Sequence, residues 1–145
     1  MSIAERTCRP VPSGCCSLIL LSFIAAGCGG PPVSLVPVEG IVVFEGGKIP
    51  DAAVATVHFE PVADGPQQIR KVASGTIGPD GRFTLMTRRP GDGVIPGRYR
   101  VFFTVEKTFA GREQLVPARY ASAEETPFEV SVEPRTNPPF RFEIE

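Results

Sequence analysis

From about residue 36 onward the chain alternates apolar and polar side chains in short runs, each closed by glycine, proline or aspartate. A period of two puts successive residues on opposite faces of an extended strand, so this pattern predicts strands with one buried face. The first runs from about Val36 to Phe44, and Gly46-Gly47 supply a tight turn after it. The second, about Ala53 to Phe59, places Ala55, Val57 and Phe59 on one face. Pro61 to Gln67 reads as a loop, and a third strand follows from about Arg70 to Ile77. Pro79-Asp80-Gly81 is a hairpin turn, because proline and Asp-Gly accept the backbone angles such a turn needs. The fourth strand, Arg82 to Thr87, puts Phe83 and Leu85 inward and Arg82, Thr84 and Met86 outward.

A breaker-rich loop from Arg88 to Gly97 precedes the clearest strand of all. In it Tyr99, Val101, Phe103 and Val105 share one face, and Arg98, Arg100, Thr104 and Glu106 share the other. Phe102 interrupts the polar face and is expected beneath a loop. Lys107 to about Thr126 has no strong β-pattern and is a long excursion of the kind that often carries function. Within it, Val116 to Tyr120 is expected to form a short helical turn with Tyr120 packing back. Alternation returns at Phe128, Val130 and Val132, and again at Phe140, Phe142 and Ile144, which makes seven strands. The expected fold is all-β, a seven-stranded Greek-key β-sandwich; a closed barrel is the architectural alternative.

The N-terminal pattern is different. Arg6 and Arg9, diluted by Glu5, precede an apolar stretch from about Cys15 to Ala26. About a dozen residues suit a cleavable export signal, whereas a spanning helix needs about 20. Gly29, Gly30, Pro31 and Pro32 then break any helix. Ala25-Ala26-Gly27-Cys28 resembles the bacterial lipobox, with Ala25 where a leucine is usual. That resemblance implies a signal peptide over residues 1–27, lipid on Cys28, a flexible tether over 28–35 and the sandwich domain over 36–145. An ordinary secretory signal with an incidental cysteine is the alternative. Of the four cysteines, Cys8, Cys15 and Cys16 would leave with the signal, so the mature chain could form no internal disulfide. The expected location is the cell envelope, lipid-anchored to a bacterial membrane and facing the periplasm or the exterior.

Composition narrows the rest. A mature domain of about 118 residues is large enough to fold without staples. The 15 glycines and 16 prolines favour turns over helix. The formal net charge of −1, with no basic stripe, argues against nucleic acid as a partner.

Several strings, taken in order, resemble one family. They are Val38-Glu39-Gly40-Ile41-Val42, then Gly47 to Val54 leading to Val57-His58-Phe59-Glu60-Pro61. Gly75 to Phe83, Ile95 to Val101 and Val116-Pro117-Ala118-Arg119-Tyr120 complete the series. This is similar to the carboxypeptidase regulatory-like domains, which are transthyretin-like sandwiches, and above all to the short lipoprotein versions abundant in planctomycete bacteria. The resemblance spans about residues 36–145 and implies a non-catalytic domain with no catalytic residues to carry over. Transthyretin-like hydrolases use several histidines and a distinctive C-terminal run, and this chain ends Arg141-Phe142-Glu143-Ile144-Glu145.

Residue chemistry adds little that is sharp. His58 is the sole histidine, and one histidine does not make the usual zinc site. Asp51, Asp64, Asp80 and Asp92 lie in turns, too scattered for the six to eight oxygens of calcium unless two loops converge. Tyr99 is expected to anchor a loop through its hydroxyl, with ligand stacking as its alternative. No cofactor, metal site or catalytic residue is expected. Arg82, Arg98 and Arg100 are the best surface candidate: if the fourth and fifth strands adjoin, they form a basic patch for an envelope protein, glycan or lipid head group. A solvated face balanced by Glu106 and Glu129 is the alternative. The functional expectation is an envelope-anchored binding or structural module. The alternatives are an accessory domain that positions a peptidase or other envelope protein and, behind it, a small hydrolase. A binding module would expose aromatic side chains, with Phe102, Phe109 and Tyr120 as candidates.

Overall fold

The computed structural model describes residues 34–64, 70–110 and 113–145. Residues 1–33, with the expected signal, Cys28 and most of the tether, lie outside them.

The alternating runs become strands β1 (Glu39–Phe44), β2 (Val54–Pro61), β3 (Ala73–Thr76), β4 (Arg82–Thr84), β5 (Gly97–Glu106), β6 (Glu129–Val132) and β7 (Phe140–Ile144). They form a three-stranded sheet, β4-β1-β7, and a four-stranded sheet, β3-β2-β5-β6. All pairings are antiparallel except β1 with β7, which run parallel. The fold is the expected seven-stranded β-sandwich. The chain passes between sheets after β1, β3, β4 and β6, so its strands interleave in Greek-key fashion, and among the described residues no ladder closes them into a barrel. Expected strand centres hold; the ends move by a few residues. β2 runs on to Pro61, and Val36 joins Val94 through an isolated bridge instead of extending β1.

The turn at Pro79-Asp80-Gly81 forms, with Gly81 at φ +81° and its N–H bonded to the Gly78 carbonyl at 2.9 Å. It does not close a hairpin within one sheet. Ser74 and Met86 exchange backbone bonds at 2.9 Å, but between them β4 gives its ladder to β1. The strands cross so closely that a side chain on Gly75 would strike the Thr84 carbonyl. Similarly, the Gly46-Gly47 turn sends the chain from one sheet to the other, with both glycines at positive φ.

The inward faces hold the core. Val57, Phe59, Tyr99, Val101, Phe103 and Val105 of the four-stranded sheet are fully buried. Phe59 meets Phe83, Phe140 and Phe142 of the opposite sheet at ring-centroid distances of 6.5, 5.8 and 6.1 Å, and Phe142 also meets Phe103 at 5.8 Å. Such tilted and edge contacts add to the burial of large apolar area that holds two sheets together. The long excursion is tied to this core as well. Residues Ala118–Tyr120 form a 3-10 turn, and the buried Tyr120 ring stacks on Phe128 at 5.5 Å.

Candidate functional site

β5 dictates what the outer face of the four-stranded sheet can present. Its inward residues are consumed by the core, so Arg98, Arg100, Phe102 and Thr104 point outward. The register sets Glu60 of β2 and Glu129 of β6 on either side of Arg100. Arg98 Nη2 bonds the Glu129 carboxylate, and Arg100 Nη1 donates to the Ala123 carbonyl at 3.2 Å. Among the described residues, Arg70, Asp64, Glu124 and the half-exposed Val72 also line this open cleft of about 640 Å³.

The structure therefore brings Arg98 and Arg100 together but corrects the third member of the patch. Arg82 lies on β4, in the other sheet, where its Nε is 3.5 Å from Asp80 Oδ2. The fourth and fifth strands follow each other in sequence without pairing, so the expected basic patch of Arg82, Arg98 and Arg100 does not form. The cleft around the remaining pair mixes Arg70, Arg98 and Arg100 with Glu60, Asp64, Glu124 and Glu129. Interspersed opposite charges at solvent-exposed positions cancel at a distance, so their field does not reach far beyond the surface.

His58 sits farther along the same face. Its ring stacks on Phe102 with centroids 4.8 Å apart and planes 18° from parallel, and its Nε2 lies 3.1 Å from Thr104 Oγ1. Phe102 thus interrupts the polar face as the stacking partner of a histidine across the ladder. Burial lowers the His58 pKa below 6.5, which keeps the imidazole neutral at neutral pH. Its hydrogen-bonding partner is a hydroxyl, which neither orients nor charges it as a carboxylate would.

Tyr99 is fully buried, and its hydroxyl donates to the Ile95 carbonyl at 2.5 Å. It anchors the incoming loop, as expected from the sequence, and presents no face to a ligand. Burial raises its phenol pKa from 10.0 to about 12. Asp80 Oδ1 accepts the Arg82 N–H at 3.1 Å, in keeping with its place in a turn. Asp92 does more than form a turn. Its carboxylate accepts the backbone N–H groups of Thr87, Arg88 and Arg89 at 2.8, 2.9 and 3.0 Å. These bonds, led by the one from Thr87, hold its carboxyl below its ordinary 3.8. Sequence reasoning missed this cradle, although Asp92 between two glycines was its visible signal; both glycines take positive φ in the fold.

Among the described residues, no group of three or more histidine, cysteine, aspartate or glutamate side chains is placed to hold a metal ion. Of the three aromatic candidates for an exposed contact, Phe109 is 86% exposed, Phe102 is partly covered and Tyr120 is buried. No helix among the described residues is long and apolar enough to cross a membrane. Cys28 lies outside the described residues. No family model, curated protein or solved structure matches the chain.

Proposed function

We propose that the chain is a bacterial lipoprotein, held at the cell envelope by lipid on Cys28, whose sandwich is a non-catalytic binding or structural module of the carboxypeptidase regulatory-like kind. The observation that carries this reading is the apolar stretch that ends in Ala25-Ala26-Gly27-Cys28 and passes at once into Gly29-Gly30-Pro31-Pro32. A helix breaker directly after a short apolar run suits a signal that is removed, and a cysteine at the new terminus offers a thiol for a thioether. More than one acyl chain gives stable anchoring, because each buried methylene contributes about 0.8 kcal/mol.

The sandwich supports the module half of the proposal. Its partner-facing surface is the outer sheet face bearing Arg98, Arg100, Glu60 and Glu129. Paired charges at contact range suit an envelope protein or glycan with its own mixture of carboxylate and donor groups. Expression in a bacterial host tests the anchor. The parent chain should fractionate with membranes, incorporate labelled palmitate, and begin at Cys28 by mass spectrometry of its N-terminal peptide. Cys28→Ala should abolish palmitate incorporation and cleavage at that site. Unchanged processing and labelling in Cys28→Ala would refute lipidation there.

A further inference from the structure

β7 is the last strand of its sheet, and among the described residues no strand pairs with its outer side. The hydrogen-bond phase of that open edge follows from β1. Val38 accepts the Leu85 N–H at 2.9 Å and Val42 donates to the Gly81 carbonyl at 2.8 Å, so these β1 residues direct their polar groups toward β4. Alternation then turns Glu39, Ile41 and Val43 toward β7. In the parallel register Ile41↔Arg141, the Ile41 N–H meets the Phe140 carbonyl and the Ile41 carbonyl meets the Phe142 N–H. Phe140 and Phe142 are thereby satisfied. The N–H and C=O groups of Arg141 and Glu143 point away from the sheet.

The side chains carry a matching symmetry. Arg141 and Glu143 flank the buried Phe142, and both are about three-fifths exposed on the outer face. Their own ion pair, Nε to Oε1 at 3.0 Å, joins neighbours along one strand. Charges of opposite sign placed equally about a central residue complement themselves when the strand is turned end for end.

We propose that β7 pairs antiparallel with β7 of a second copy of this chain about a two-fold axis at Phe142. In that register Arg141 faces Glu143 of the second copy and Glu143 faces its Arg141, with both N–H···O bonds exchanged in each pair. These are the residues whose backbone groups are outward-directed, so a single register satisfies the polar backbone and the charged side chains together. The interface is isologous, as closure by a two-fold requires. The three-stranded sheet continues across both copies, and each copy covers the other's exposed edge. The pairing is independent of lipid on Cys28.

A five-residue edge is smaller than the roughly 1,600 Å² of a standard interface, so the equilibrium belongs at high concentration. Sedimentation equilibrium of the full chain in density-matched detergent, up to about 1 mM, should give a monomer–dimer equilibrium and no larger species. Arg141→Glu and Glu143→Arg each set like charges opposite one another twice and should each raise the dissociation constant about tenfold. The double exchange Arg141→Glu/Glu143→Arg should return it to within about threefold of the parent. Glu143→Pro removes an outward N–H without touching the β1 ladder and should abolish dimerisation with unchanged far-UV circular dichroism. A chain that stays monomeric throughout overturns the proposal. So does a dimer indifferent to the single exchanges, or one not restored by the double exchange. If Glu143→Pro fails to fold, the charge series decides alone.

Discussion

Tyr99→Phe removes one oxygen from the centre of the sandwich and tests how the loop before β5 is held. The ring is fully buried, and its hydroxyl is bonded to the Ile95 carbonyl at 2.5 Å. Phenylalanine keeps the ring contact with Phe59 at 6.0 Å, so the core stays filled. What is lost is the net value of a buried hydrogen bond plus part of the cost of leaving a carbonyl unpaired, about 1–2 kcal/mol. For a domain of about 110 residues each kcal/mol lowers Tm by roughly 4 °C. Urea titration should show a lower midpoint with an unchanged slope, since no extra surface is exposed.

The same residue makes a second measurement possible. Folding raises the phenol pKa from 10.0 to about 12, so the folded protein binds this proton more tightly than the unfolded chain. The associated stability is complete below pH 10 and is lost as pH rises through about 12. Discounted for solvent screening, the loss is roughly 2 kcal/mol. Tyr99→Phe lacks this term, and every other titrating group is common to both proteins. The stability gap between parent and variant should therefore narrow toward zero between pH 10 and pH 12. A gap below about 0.3 kcal/mol at pH 7 refutes the anchoring bond, because that is the error of additivity between independent sites. A gap that stays constant to pH 12 refutes the burial of the phenol.

Gly40→Ala would place a Cβ 2.5 Å from Phe83 Cζ and hard against the Phe140 carbonyl, where β1 meets β7. It should cost about 1–3 kcal/mol by thermal unfolding, and Phe83→Leu should recover part of that loss by yielding space. His58→Gln should flatten the acid side of the stability curve. Burial lowers the folded pKa, so the stabilisation is present above pH 6.5 and is lost as pH falls through the folded value; a titration of the ring by nuclear magnetic resonance with its pKa at or above 6.5 would contradict this. Asp92→Ala should speed hydrogen exchange at the amides of Thr87, Arg88 and Arg89, which its carboxylate caps. In the parent these amides should lose protection only as pH falls through the lowered Asp92 pKa, below 3.8.

The faces of the strands were legible because a period of two is a local property. Phe83 and Leu85 point in, and Arg82 and Thr84 point out, whatever strand lies beside them. The Tyr99 anchor was legible for the same reason: its partner, Ile95, is only four residues away. The ring partner of Phe102 was not legible, because His58 stands across the ladder, 44 positions distant in the chain. The Arg82 error has the same origin. The turn at Pro79–Gly81 and the breakers at Arg88–Gly97 mark where the chain reverses, but a reversal within a sheet and a passage to the opposite sheet use the same residue types.

The sequence by itself determined that this chain is all-β, which residues of each strand face inward, and where the turns fall, because backbone propensity and alternation act over a few residues. It also carries the apolar stretch ending at Cys28 on which the proposed anchoring rests. Only the tertiary structure decided that β4 pairs with β1 rather than with β3 or β5, that Arg98 and Arg100 share a cleft with four carboxylates while Arg82 does not, and that Arg141 and Glu143 turn their backbone groups to an open edge. These follow from pairing between distant segments. That choice is settled by which arrangement lets Phe59, Phe83, Phe103 and Phe142 pack between the sheets, and no local pattern encodes it.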